Sequence, residues 1–479
     1  MSTAKKDKEL LHIAIFFAIV ALFFFVIPPV EPLTKPGVRI FGLFLAAIYG
    51  WTVTEEPWPT LFTIVLFLFT GLANLTTLLA ASWGSDSFLF MLLMFIVIAY
   101  LQTSGFSNFL SAWMLSRKFL TGHPYRIIFT LMILSWLLSI FAGIFAGMLL
   151  TWGFVYQICQ MMGYKPFSKE ASAMIFAIAM TGGLSLSAVP FLHNALVILA
   201  AFTGATGIEI NLMHYLAFSI PTNIICMLVY LAMCKFVFRI DVSKMKEMTV
   251  DFIPAEHLIL TKQVKYAICF LVVLIACLFI PNLLPSGMPL QATLKGLGNS
   301  GITILVFAFW SLLKIDGKRV FEFGELAKSG INWNQLFLVV GVFAFIALLS
   351  NPATGISAFI GAYLGPVFIG KPAILFIALI IIATIILTNF MANMVVAVIM
   401  FAAALPIIPQ LGLNVTQMGY LLTLCSSIAF CLPSSSPAGL LLFANKEWMN
   451  PAEIMKYAIP TAFMMGFVAY AWNAILFMF

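Results

Sequence analysis

Apolar residues run along this chain in long blocks, and polar residues gather in short clusters between them. A helix needs about 20 apolar residues to cross the hydrocarbon of a bilayer. The blocks predict spans near 11–28, 37–51, 57–73, 86–114, 170–202, 214–236, 263–281, 297–313, 332–363, 415–445 and 455–478. Two further apolar stretches, 126–160 and 373–408, are long enough to enter and return, and are read as re-entrant hairpins. The expected fold is an all-α polytopic membrane protein with 11 transmembrane helices and two re-entrant hairpins.

Composition agrees with lipid as the main solvent. Apolar residues make up 63% of the 479 and charged ones 9%, against about 45–50% and about 25% in soluble proteins. Lys5, Lys6 and Lys8 precede the first run, which ends at Pro28-Pro29-Val30-Glu31-Pro32 without a small-residue cleavage site, so it reads as a retained span. The net charge of +7 is spread between apolar runs, which argues against a nucleic-acid partner. Under the hairpin topology 20 of the 24 basic residues fall on one side, leaving Lys35, Arg39, Lys295 and Lys371 on the other. A cytoplasmic excess of Lys and Arg then places the N-terminus inside and the C-terminus outside, in a cell inner (plasma) membrane. The seven cysteines sit in or beside apolar runs with no CxxC pair, and read as small reduced hydrophobes.

The chain divides into a first span at 1–36, a repeat at 37–236, a polar cytoplasmic linker at 237–262 and a second repeat at 263–479. Each repeat reads as two spans, a long third span, a hairpin, a long interrupted span and a final span. Five spans is an odd number, so the second repeat sits inverted, as in secondary transporters. The interruptions are Thr181-Gly182-Gly183-Leu184-Ser185-Leu186-Ser187-Ala188-Val189-Pro190 and Leu432-Pro433-Ser434-Ser435-Ser436-Pro437-Ala438-Gly439. Pro lacks the backbone donor and Gly resists helix order. Backbone freed at that depth lines a cavity or is buried in protein; its carbonyls can coordinate Na⁺ and its helix N-termini can face an anion. The alternative is a Pro-kinked structural helix whose serines bond the preceding turn.

Intramembrane charge is costly and usually functional. His193 is the only ionisable residue deep in a span, and all seventeen carboxylates fall at loops or span ends, the Glu55-Glu56 pair included. That inventory disfavours a proton antiporter or carboxylate pump and suits Na⁺ held by neutral oxygens. His193 with Asn194 either touches substrate or is a hydrogen-bonded histidine at a helix break. No Asp/Glu/His grouping inside the spans supports an embedded enzyme.

At these residues the chain resembles the divalent anion:sodium symporter family. The likeness lies in the turn Trp51-Thr52-Val53-Thr54-Glu55-Glu56-Pro57-Trp58-Pro59, in Ile331-Asn332-Trp333-Asn334, and in the break from Leu432 with Phe443-Ala444-Asn445 beyond it. The resemblance implies a Ser-Asn-Thr triplet at each hairpin tip that binds substrate carboxylates and two sodium ions. Here the first triplet has become Gly143-Ile144-Phe145, with Ser139 retained one turn before. The second has become Ala392-Asn393-Met394, with Thr388 one turn before. The implied Na⁺ residues are Ser139, Gly143, Thr388, Asn393 and Ser435. The implied substrate residues are Ile144, Phe145, Asn194, Asn393, Met394, Ser436 and Pro437. For Gly143 and Gly147 close helix packing is the favoured reading over ligand contact, and for Asn393 a helix-to-helix bond is the alternative. A carboxylate taken from water needs strong donors to offset desolvation, and five of six triplet side chains are gone. The expected function is Na⁺-coupled symport of a small organic anion, a dicarboxylate or a less polar carboxylate, by a homodimer with an elevator-like motion. The alternatives are a sodium-independent exchanger or uniporter, and a membrane-embedded enzyme or structural subunit.

Overall fold

A computed structural model describes residues 3–54, 56–247, 258–285, 287–349, 351–433 and 435–477. Glu55, Ser434 and residues 248–257 of the linker lie outside the described residues.

The described chain is helical almost throughout. In order come α1 (Thr3–Ala21, continued by a π-helical turn), α2 (Lys35–Val53), α3 (Trp58–Leu68), α4 (Leu75–Ala81), α5 (Asp86–Thr103), α6 (Phe106–Leu115), α7 (Pro124–Ala142) and α8 (Ile144–Met162). Then follow α9 (Lys169–Ser185), α10 (His193–Thr206), α11 (Leu212–Phe236), α12 (Lys262–Leu283), α13 (Pro289–Leu312), a two-residue-strand hairpin, α14 (Phe323–Gly330), α15 (Trp333–Leu349) and α16 (Ile356–Phe368). The last are α17 (Ala373–Thr388), α18 (Asn393–Ala404), α19 (Val415–Cys425), α20 (Pro437–Ala444) and α21 (Pro451–Leu476). Nine helices among the described residues are long and apolar enough to cross a membrane, or up to 11 if two bent pairs each count as one span.

Many helix starts are written locally. Thr34, Asn74, Ser168, Asn211, Thr261, Asn414, Ser436 and Asn450 each accept a bond from the backbone N–H three residues on.

Several expected spans are divided. The 86–114 run splits into α5 and α6 because Gly105 adopts φ 80°, and the Ser104 hydroxyl accepts from Phe106 N at 3.2 Å. The 57–73 run yields α3, whose 11 residues rise only about 16 Å. Thr70 Oγ1 bonds Phe67 O at 2.6 Å where α3 ends, and Gly71 turns the chain with φ 81°. The 332–363 run divides between α15 and α16, and α16 and α17 meet at 119°. Gly298, at φ 64°, kinks α13 inside the expected 297–313 span.

Two compact units emerge. The first holds Met1–Leu89, Val197–Ile210 and Asn332–Ser426; the second holds Phe90–Leu196, Asn211–Ile331 and Ser427–Phe479. In the first unit the Trp51–Pro59 turn is a packing clamp. Trp51 Nε1 bonds Thr60 Oγ1 at 2.9 Å, and the indole lies edge-on to Phe345 at 5.9 Å.

In the second unit α7 and α8 form the tightest hairpin of the chain, turning on Gly143 alone (φ 84°, ψ 152°). Each leg has 19 residues, about 28 Å of rise. The stretch folds back on itself as a helical hairpin, and each leg is by itself long and apolar enough to cross a membrane. Gly182 and Gly183 do not break α9, which continues to Ser185. Their bareness serves packing instead: a Cβ at Gly182 would lie 2.8 Å from Met148 Sδ.

Along α11, Tyr215, Ser219 and Asn223 form a buried polar stripe. Tyr215 and Ser219 donate to Ser187 O at 2.8 Å and Ala188 O at 2.7 Å. Neither amide atom of Asn223 has a partner among the described residues. An unpaired buried amide bears its desolvation uncompensated, whereas Ser219 contributes a made bond. Asn223→Leu is therefore expected to keep or raise the melting temperature of the detergent-solubilised protein, and Ser219→Ala to lower it. A drop for Asn223→Leu larger than that for Ser219→Ala would contradict this account.

Candidate functional site

The residues singled out by sequence fall in both units, and each set is described within its own unit. Ser139, Gly143, Ile144, Phe145, Asn194, Ser435, Ser436 and Pro437 belong to the second unit; Thr388, Asn393 and Met394 belong to the first.

In the second unit the first hairpin tip is held from outside the hairpin. The last carbonyls of a helix lack intrahelical partners. Gln102 Nε2, from the last turn of α5, donates to Ala142 O at 2.5 Å. His193 Nε2 lies 2.8 Å from Ile140 O, and since a carbonyl only accepts, this nitrogen carries the proton. His193 opens α10 at φ 52°, a left-handed conformation that a bulky residue adopts only where its surroundings impose it. His193 is thus a hydrogen-bonded histidine at a helix break, one of the two readings its sequence offered. Asn194 beside it is buried at 6% exposure.

Gly143 O accepts from Gly147 N at 2.9 Å, so one lone pair of that carbonyl is already used. Ser139 Oγ is fully buried against Gly147 and has no partner among the described residues. Ile144 is buried, while Phe145 is 48% exposed.

The first break runs from 186 to 192, later than the expected 181–190. Pro190 cannot donate to Leu186 O, and Ala195 N takes that carbonyl at 3.0 Å. With Tyr215 and Ser219 on the next two, the carbonyls of 186–188 are all engaged by protein donors. The expectation of free carbonyls does not hold there.

The second break runs from 426 to 436, starting before the expected 432. Within the second unit, Ala429 O would pair with residue 433 in a helix, but Pro433 has no N–H, and the Ser436 hydroxyl takes that carbonyl instead. Ser436 also caps α20, accepting from Gly439 N at 3.1 Å, with Pro437 in the first helical turn. Ser435 Oγ donates to Leu432 O at 2.5 Å.

In the first unit the second tip, between α17 and α18, gathers oxygens. Thr388 Oγ1 lies 2.5 Å from Ser426 O and 3.0 Å from Asn393 Oδ1. One hydroxyl proton cannot serve both acceptors. The Thr388 proton goes to Ser426 O, and the Asn393 carboxamide faces the Thr388 oxygen, so a hydroxyl, a carboxamide and a main-chain carbonyl, all neutral and buried, converge here, a donor set suited to a small hard cation and needing no charged ligand. The structure brings Thr388 and Asn393 together, with Met394 buried one residue further into α18. Sequence reasoning missed Ser426 O, whose exposure to Thr388 depends on where α19 unwinds. It also missed Gln102, a lone carboxamide at the end of an apolar run.

Interrupted helices, a hairpin tip in each unit and neutral polar groups at both tips define a secondary transporter rather than an enzyme. The family model for CitMHS, citrate transporter, matches residues 13–425, and the chain belongs to that family. Among solved structures the chain is similar to the YdaH transporter of Alcanivorax borkumensis. The TM-score is 0.60 at 14% identity, covering 92% of this chain and 97% of that one. It is also similar to Neisseria gonorrhoeae MtrF, from a class of antimetabolite efflux pumps, at TM-score 0.56 and 14% identity over 96% and 97%. These likenesses establish a shared fold. No curated protein matches the sequence.

Proposed function

We propose that this protein is a Na⁺-coupled symporter of a small organic anion, of the citrate class or a less polar carboxylate. It would work by alternating access as a homodimer in the plasma membrane, N-terminus cytoplasmic, with 37–236 and 263–479 as inverted repeats. The observation that carries the reading is the convergence of neutral polar groups at Thr388, Asn393 and Ser426. Membership of a citrate transporter family supports the anion, and the neutral polar groups meeting at Thr388 support the ion. Ser139 and Gly143 at the first tip, and Ser435 at the second break, are the further proposed Na⁺ ligands. Ile144, Phe145, Asn194, Asn393, Met394, Ser436 and Pro437 are the proposed substrate contacts.

At the first tip Ile144 and Phe145 supply no side-chain oxygen, so the second tip is the principal ion site. Coupling to a single Na⁺ per substrate follows. Proteoliposomes loaded without Na⁺ are expected to take up citrate when Na⁺ is added outside, with a Hill coefficient for Na⁺ near 1. Uptake with two or more Na⁺ per substrate would overturn the stoichiometry. Counterflow of equal rate in Na⁺-free vesicles would replace symport with exchange.

A further inference from the structure

The first hairpin tip carries Gly143-Ile144-Phe145, with no polar side chain among the three, and a donor from another helix stands beside it. We infer that Gln102, on α5, is a substrate-contacting residue that supplies to a carboxylate the hydrogen bond a tip side chain would otherwise give. This rests on the transport reading above and adds the group that recognises the anion.

Three observations support it. A Cβ built on Gly143 would lie 3.2 Å from Gln102 Nε2, so the carboxamide nitrogen occupies the space into which a side chain at 143 would project. Gln102 Nε2 is identified as nitrogen by its acceptor, since Ala142 O accepts from it at 2.5 Å. That bond uses one N–H of two and orients the second. Lastly, Gln102 is exposed although it ends a span of mean hydropathy 1.8. A carboxamide is costly against hydrocarbon and persists at such a place where it meets water or a polar guest.

Gly143 and Gln102 therefore act as a pair. The glycine is required by φ 84°, and its bareness admits the amide. The donor comes from a different helix of the same unit, so the tip binds an anion while carrying Ile144 and Phe145. One donor in place of several favours a carboxylate met at a single edge over a densely charged one.

The test uses the full-length protein in detergent, with citrate, succinate and acetate as probes in thermal-shift titrations, and uptake in proteoliposomes. Gln102→Glu keeps the length and replaces the donor with a repelling charge; Gln102→Met keeps the length and removes the donor. Both are expected to raise the KM of the transported anion about ten-fold or more, with Vmax and the Na⁺ dependence little changed. Gln102→Asn, which keeps a donor on a shorter arm, is expected to fall between them and wild type. A merely structural cap would lower the melting temperature and Vmax and leave KM alone; that pattern, or an unchanged KM, overturns the inference. If neither Gln102→Glu nor Gln102→Met folds, a wild-type KM in Gln102→Asn overturns it as well. A wild-type protein that none of the three anions stabilises overturns the transport reading, and this assignment with it. Stabilisation of wild type and variants alike overturns this assignment only.

Discussion

Valine in place of Gly147 is expected to stop the chain from reaching its fold. Gly147 lies in the first turn of α8, directly against the last turn of α7. A Cβ there would collide with Ser139 Oγ and lie 2.6 Å from Ser139 N and 2.9 Å from its Cα. The hydroxyl could rotate away, but the backbone atoms cannot without opening the hairpin. Overpacking of a tight interior costs about 1–3 kcal/mol, and more where backbone must move. Two γ-methyls on a one-residue turn belong to the second case. The measurement is the yield of monodisperse protein after detergent extraction, with its melting temperature. Gly153→Ala is the control on the same helix, since nothing lies within 4 Å of its Cβ position, and it is expected to be neutral or mildly stabilising. A Gly147→Val protein that melts like wild type would show that α7 and α8 are not packed as described.

The second large effect is expected at Thr388. Thr388→Val keeps the shape and removes the hydroxyl that faces Ser426 O and Asn393 Oδ1. The buried Ser426 carbonyl then loses its donor, at a cost of about 1–3 kcal/mol. Under the proposed coupling, the Na⁺ concentration for half-maximal citrate uptake should rise at least about ten-fold, or Na⁺ dependence should vanish. Thr388→Ser retains the oxygen and should stay near wild type. Equal Na⁺ dependence in Thr388→Val and wild type would remove Thr388 from the ion site and leave it a structural cap.

Particular elements show how legible this protein is. The stretch 126–160 was readable as a hairpin because no single crossing needs that length. Pro190, Pro433 and Pro437 marked the breaks, since a missing N–H is a property of the residue itself. Thr388 and Asn393 were singled out on the resemblance and do meet at the second tip. The extent of each break was not readable. Gly182 and Gly183 look like breakers, yet they stay helical, and the bare face of Gly182 is filled by Met148. Ser426 and Ser427 look like ordinary helix residues, yet α19 unwinds there, and Thr388, 38 positions earlier, bonds the Ser426 carbonyl. Gln102 gave little local signal, because its acceptor lies 40 residues further along the chain.

From the sequence alone came the solvent of this protein, the places of its apolar segments and the starts of many helices. Each of these depends on a residue's own side chain or on neighbours within a turn. The tertiary structure alone decided which glycines are bare for packing and which for turning, which freed carbonyls are paired, and which polar groups meet at the tips. Those outcomes depend on groups tens of residues apart, and only folding sets the distances between them.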